Sequence, residues 1–315
     1  ETAYAETCAS IGLIFWAQRM LRLESDGEYA DVMERVLYNG ALCGVSLDGK
    51  HFFYANPLAS YPDPRKPGSK LRPGWYNCAC CPPNLARLLT SLGRYIYSQS
   101  GQTLFVHLFA DSKASVTLDN GVVELTQQTE YPLTESVSIK INPEIEQRFA
   151  LSIRIPGWCR KPSLKLNGRQ IAAANLLQKG YAVIERNWMP EDQIELEFPM
   201  PVERVYMPTA VSADVGRVAL QRGPVVYCLE EVDNGKHLNA IELPREAPLK
   251  TKSERIGDVP AILINTDALC LKSSSCEGIT TSPPKMTKKR LVAVPYHLWA
   301  NRGEGEMLVW IREGK

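Results

Sequence analysis

At 315 residues, with 44% hydrophobic and 23% charged positions, the chain is long enough to bury a large core in two or three domains. Thirty-six basic residues against 35 acidic ones leave a formal charge of +1, which removes any electrostatic ground for a nucleic-acid or anionic-membrane partner. No run approaches the roughly 20 apolar residues of a membrane helix, and no secretory signal is visible.

The predicted elements start at once. The first residue is Glu1 rather than Met, and the chain opens as if already inside a helix, so it reads as a fragment or a processed chain of something longer. Residues 3–23 form the first predicted helix. Ile11, Ile14, Phe15 and Leu21 make one apolar stripe and Leu13, Trp16, Met20 and Leu23 a second, the pattern of a helix buried on most sides. A second helix is expected from about Glu28 to Asn39, with Tyr29, Val32, Met33 and Val36 facing inward and Gly40 as its stop. Residues 40–75 look irregular, with short strands such as "KHFFYANPL" and a loop rich in proline and glycine. A third helix starts at Pro82-Pro83, carries Leu85, Leu88, Leu89 and Leu92, and ends near Tyr97.

From about Gln102 the apolar period changes to two, in "TLFVHLFA", "SVTLDNGVVELTQQ", "SVSIKINP", "RFALSIRIP", "LKLNGRQI", "GYAVIERNW" and "QIELEFP". A second β block begins near Met200 with "VERVYM", "RVALQRGPVVYCLE", "AILINT", "RLVAVPYHLWAN" and "EMLVWIRE". Residues 267–290, poor in large apolar side chains, are expected to form a long surface loop. The fold class is therefore multidomain α + β, the tail of a helical domain followed by antiparallel β-sandwiches, divided as 1–100, 101–200 and 201–315.

Nine cysteines, an odd number, argue for reduced thiols and hence a cytoplasmic chain rather than a disulfide framework. Cys43, Cys159 and Cys228 read as small buried hydrophobes, while Cys270 and Cys276 fall in the polar loop and are either incidental or a pair. "YNCACCPPN", residues 76–84, is different because three thiols crowd into four positions. Proline at the first helical position places Cys80 and Cys81 at a helix N-terminus, where partial positive charge favours the thiolate. Thiolates select soft or borderline cations, zinc above all. Cys80 and Cys81 supply two of four ligands, and Glu6 and Cys8 supply the rest if "ETC" lies across from this turn. Competing readings are a structural site with Cys78 in place of Glu6, a redox dithiol, or three buried thiols without chemistry. The histidines are isolated, and His107 falls in an alternating strand where a structural role outweighs a catalytic one. Pro156-Gly157-Trp158 offers either a sugar-stacking platform or domain packing.

"YAETCASIGLIFWAQRML", "VLYNGAL", "LDGKHFFYANPL" and "CACCPPNLARLLTSLG", in that order, closely resemble the β-L-arabinofuranosidases of glycoside hydrolase family 127. "RIPGW", "LQRGPVVYCLE" and "PYHLWANRGEGEMLVWIR" resemble its β domains, so the likeness covers essentially the whole chain. The resemblance implies the C-terminal helices of an (α/α)₆ barrel followed by β-sandwiches, with most of the barrel upstream of Glu1. It implies zinc held by Glu6, Cys8, Cys80 and Cys81, with Cys80 as nucleophile of a retaining glycosidase and Tyr54 as a sugar contact. The general acid of that family is a glutamate N-terminal to the ETC motif and is not in this sequence. The implied partner is an arabinofuranosyl-bearing plant glycan or glycoprotein, with a homodimer carried as an open expectation. The alternative function is a non-catalytic carbohydrate-binding or structural protein in which zinc is only a staple.

Overall fold

The computed structural model of the protein describes residues 4–272 and 283–314. Its first helix, α1, spans Thr7–Leu23 and so begins four residues later than expected. The cause is strand-like pairing: Glu6 bridges Ala55, Asn56 N–H donates to Ala5 O at 2.7 Å, and Thr7 N–H donates to Tyr54 O at 2.9 Å. Those bonds hold the preceding backbone extended. Ile11, Ile14, Ala17 and Leu21 are buried, whereas Leu13, Trp16 and Leu23 are exposed. The second apolar stripe therefore faces outward among the described residues, and α1 is amphipathic rather than buried all round.

Helix α2, Gly27–Arg35, is capped by Asp26, whose side chain accepts from Glu28 N–H. Gly40 does not end it. The chain instead widens into a π turn over Val36–Ala41 and tightens into a 3₁₀ turn over Leu42–Gly44. The inward face is Ala30, Met33, Glu34 and Leu37, while Tyr29, Val32 and Val36 are half-buried. Helix α3 spans Cys81–Ser91, with Leu85 and Leu88 buried and Leu89 exposed, and a short helix Gly93–Ile96 follows. Among the described residues there are five α-helical segments, too few to close an (α/α)₆ barrel. None of the helices is long and apolar enough to cross a membrane.

The chain divides into two compact units, each drawn from distant stretches of sequence. One comprises Ser10–Leu37 and Pro83–Met200. It holds a five-stranded sheet, from Leu177–Gln178 through Tyr181–Trp188, Gln147–Arg154 and Thr103–Val106 to Tyr97–Ser100. It also holds a six-stranded sheet that starts from the hairpin Ser112–Leu118 and Gly121–Gln128. Thr103–Val106 runs parallel to Gln147–Arg154, so the sheets are not wholly antiparallel.

Inside this unit Arg154 is fully buried. Its guanidinium pairs with Asp31 at 2.6 Å and with Glu34, and its Nε donates to His107 O at 2.6 Å. Tyr131 Oη and Trp158 Nε1 donate to the same Glu34 carboxylate at 2.7 and 3.1 Å. Trp158 is thus engaged in packing, not held out as a platform. His107 is buried between Tyr181 Oη at 2.6 Å and Ser98 Oγ at 2.7 Å, a structural histidine.

The other unit comprises Glu1–Ala9, Tyr38–Pro82 and Pro201–Lys315. Its ten-stranded sheet runs from the short strand Ala59–Ser60 to Val202–Val205. Ile241–Pro244 lies parallel to Ile311–Gly314, a second departure from the all-antiparallel expectation. The expected loop over 267–290 is corrected at both ends, while residues 273–282 lie outside the described residues. Val259–Leu271 and Met286–Pro295 pair from Ile264↔Ala293 out to Leu271↔Met286. The outer end of the second strand, Met286–Lys288, is exposed, so it carries threonine and lysines in place of alternating apolar residues, whereas Ala268 on the first strand is buried. Cys276 lies outside the described residues, and Cys270 faces Thr287 across the hairpin.

Candidate metal centre

Four potential ligands come from two pairs of neighbouring positions. Glu6 sits on the extended residues before α1, and Cys8 is the second residue of that helix. Cys80 ends a tight turn in which its N–H donates to Cys78 O at 2.9 Å, and Cys81 opens α3. The β-bridge at Glu6 explains how an i, i+2 pair converges: one residue is extended and the other is helical. Thr7 lies between them, fully buried, its Oγ1 donating to Phe53 O at 2.8 Å and accepting from Asn56 Nδ2 at 3.2 Å.

Cys8 Sγ lies 3.4 Å from Cys81 Sγ, Cys80 Sγ 3.7 Å from Cys81 Sγ, and Cys80 Sγ 3.7 Å from Glu6 Oε1. All four ligand atoms fall within 4.8 Å of one another. A tetrahedron with metal–sulfur bonds of about 2.3 Å has edges of about 3.8 Å, close to these separations. Three sulfurs and one carboxylate form a donor set suited to zinc. The sulfurs are also far beyond the about 2.05 Å of a disulfide bond. Cys78 is exposed and is not one of the four converging groups.

Without a cation two of the thiols sit above the ordinary cysteine range. A hydrogen bond with Cys8, followed by burial, pushes the Cys80 thiol up to about 11. Burial likewise raises Cys81. The helix N-terminus expected to favour the thiolate is outweighed, and a bound cation is what would reverse the balance.

Tyrosines surround the cluster. Tyr4 Oη donates to Glu6 Oε2 at 3.0 Å, leaving Oε1 toward the sulfurs. Tyr54, the expected sugar contact, is half-buried and meets Tyr76 edge-to-face at 5.8 Å. A hydrogen bond with Tyr4, burial and the nearby Glu6 all raise its pKa. Burial, then the Cys81 thiol, raises that of Tyr76. Tyr4 and Tyr76 flank the two motifs in sequence, which is the only signal that could have marked them. Nothing in residue spacing marks Asn56 or Gly44, whose close approach fixes Thr7.

The chain matches, in order, the β-L-arabinofuranosidase GH127 catalytic domain over residues 1–94, the GH127 middle domain over 103–200 and the glycoside hydrolase family 127 C-terminal domain over 202–312. It is 35% identical over 334 residues to the non-reducing end β-L-arabinofuranosidase of Bifidobacterium longum subsp. longum, covering 99% of this chain and 49% of that protein. The chain thus spans about half the length of the curated relative it matches. Among solved structures it resembles Ara127N-Se, a GH127 β-L-arabinofuranosidase from Geobacillus stearothermophilus T6, with TM-score 0.94, 48% identity and coverage of 99% and 50%. It also resembles the GH127 β-arabinofuranosidase BT3674, with TM-score 0.90, 35% identity and coverage of 99% and 50%.

Proposed function

The chain belongs to glycoside hydrolase family 127, and from that premise we propose that it carries the zinc–thiolate centre of a retaining glycosidase releasing terminal β-L-arabinofuranose. The observation that carries this reading is the convergence of Glu6, Cys8, Cys80 and Cys81. The names of the relatives supply the sugar. Residues 1–100 would be the C-terminal part of an (α/α)₆ catalytic barrel, and 101–200 and 201–315 two β-sandwiches.

Zinc, when bound by these four residues, would supply the positive charge that keeps their sulfurs ionised at neutral pH. Cys80 is our nucleophile because Cys81 is fully buried while Cys80 is part-exposed and lies outside α3. Its sulfur attacks the anomeric carbon, forming a C–S bond as the glycosidic C–O bond breaks. The leaving oxygen takes a proton from a general acid. Water then displaces sulfur with a second inversion, giving net retention. Tyr4 holds the outer oxygen of Glu6, and Tyr54 offers a half-buried hydroxyl to the sugar.

The test is zinc per chain by elemental analysis, wild type beside Cys80→Ser, with β-L-arabinofuranoside turnover measured in the protein that carries this chain. We expect about one zinc in the wild type, reduced zinc in the variant, and turnover lowered by about a thousandfold or more. A variant that keeps its turnover removes Cys80 as nucleophile. One that unfolds favours a structural staple.

A further inference from the structure

A cavity of about 570 Å³ lies within the unit that contains the C-terminal sheet, walled by residues 46–48, 51, 71–72, 257–259, 300–301 and 303. Its wall includes a buried cation. Arg72 is 5% exposed, its Nε donates to Cys43 O at 3.0 Å and its Nη1 to Trp299 O at 2.8 Å. The guanidinium lies 4.3 Å from the centre of the Phe53 ring. Its Nη2 is buried with no hydrogen-bond partner, and no carboxylate pairs with it among the described residues. That nitrogen is closed to solvent, so Arg72 gives the wall a buried positive charge and not a free contact.

The rest of the wall carries the opposite character. Asp48 accepts from Ser46 Oγ, from Lys50 N–H at 3.0 Å and from His51 Nδ1 at 3.3 Å, and those bonds hold its carboxyl well below the usual range. It is an ionised acceptor. His51 spends Nδ1 on Asp48, and its Nε2 has no partner among the described residues. The exposed Asp258 carboxylate makes no hydrogen bond or ion pair among them either. Leu47 and Leu71 add apolar surface beside these groups.

The mixture of charges selects the ligand class. Arg72 disfavours a cation, and Asp48 with Asp258 disfavours an anion. A neutral molecule bearing several hydroxyls escapes both penalties, can donate to Asp48 and Asp258 and bond His51 Nε2, and its C–H face can cover the leucines. We propose that this cavity is a carbohydrate site, taking a neutral sugar residue of a glycan, separate from the sulfur centre. Its volume is large enough for more than one sugar ring. The inference goes beyond the proposed turnover and does not depend on it.

The test is saturation-transfer NMR with L-arabinose, D-galactose and D-xylose as probes at up to about 50 mM, where millimolar affinity is visible. The wild type is compared with Cys80→Ala and with the double variant His51→Ala, Asp258→Ala, whose substituted side chains are exposed and whose unfolding temperature should stay unchanged. Transfer from at least one sugar that survives Cys80→Ala and falls about tenfold in the double variant is the expected result. Transfer that persists in the double variant, or none from any sugar, overturns the proposal. So does inorganic phosphate or a divalent cation saturating the wall in place of the sugars. Loss of turnover in Cys80→Ala with sugar binding kept separates the two sites, so either reading can fail alone.

Discussion

A methyl group added at Gly44 would stand 2.5 Å from Thr7 Cγ2 and 2.8 Å from its Oγ1. Thr7 cannot yield easily, because it is buried and fixed to Phe53 and Asn56. It is also the residue between Glu6 and Cys8. We expect Gly44→Ala to destabilise the protein by about 1–3 kcal/mol and to weaken zinc about tenfold in a chelator competition. Gly12→Ala, on an open face of α1 with nothing within 4 Å, should instead stabilise by about 0.5–1 kcal/mol. Equal zinc affinity in Gly44→Ala and wild type would show that Thr7 does not set the spacing of the ligands. Cys80 and Cys81 stood out in the sequence because thiols at such density have few uses, whereas Glu6 and Cys8 were reached through the resemblance of the ETC motif. Gly44 and Asn56 were not, since a glycine or asparagine in a loop serves many purposes and only the three-dimensional neighbour tells which.

At the level of elements, the end of strand Gln147–Arg154 is tied to α2 by Arg154 and its two carboxylates. Burial alone would pull the Arg154 guanidinium down, but Glu34 and Asp31 more than offset it and keep it charged. Glu34→Ala should therefore cost about 3–5 kcal/mol in denaturant unfolding, because a fully buried cation loses its main partner. The same loss from Arg154→Met, Glu34→Met together should be much smaller, and additive losses would contradict a coupled pair. Elements with a clear apolar period were legible: α1, α3 and the strands between Thr103 and Glu197. Lys250–Ile256 was missed because an edge strand with five exposed positions has no alternation to read. The π turn over Val36–Ala41 was missed because Gly40 is an ordinary stop signal in isolation. Glu34 was hidden for a related reason, since a carboxylate on a helix is usually solvated.

Over the whole molecule, the family was legible from two short motifs, whereas the compact units were not. Each unit joins stretches separated by tens of residues or more, from Leu37 to Pro83 in one and from Pro82 to Pro201 in the other, and local pattern carries no information about such joins. Both units share one acid liability. Burial pulls His107 down to about 3 and His297 down to about 4 from the usual 6.5. The unfolded chain takes up those protons near 6.5, so their contribution is complete above that pH and is lost as pH falls toward 4 and then 3. Stability in urea should drop by up to about 1.4 kcal/mol per pH unit per histidine in that window, and His107→Gln should flatten the slope. An unchanged slope would mean that His107 is not held neutral. The sulfur centre carries a different exposure. Cys8 Sγ and Cys81 Sγ stand 3.4 Å apart, so removal of two electrons and two protons by a peroxide would join them and delete two donors at once. If the cluster is the metal centre proposed above, a chain that meets oxidant before its cation would be locked out of metal binding until a thiol reductant reopened the bond. On that reading, the order in which the two reagents arrive would matter as much as affinity.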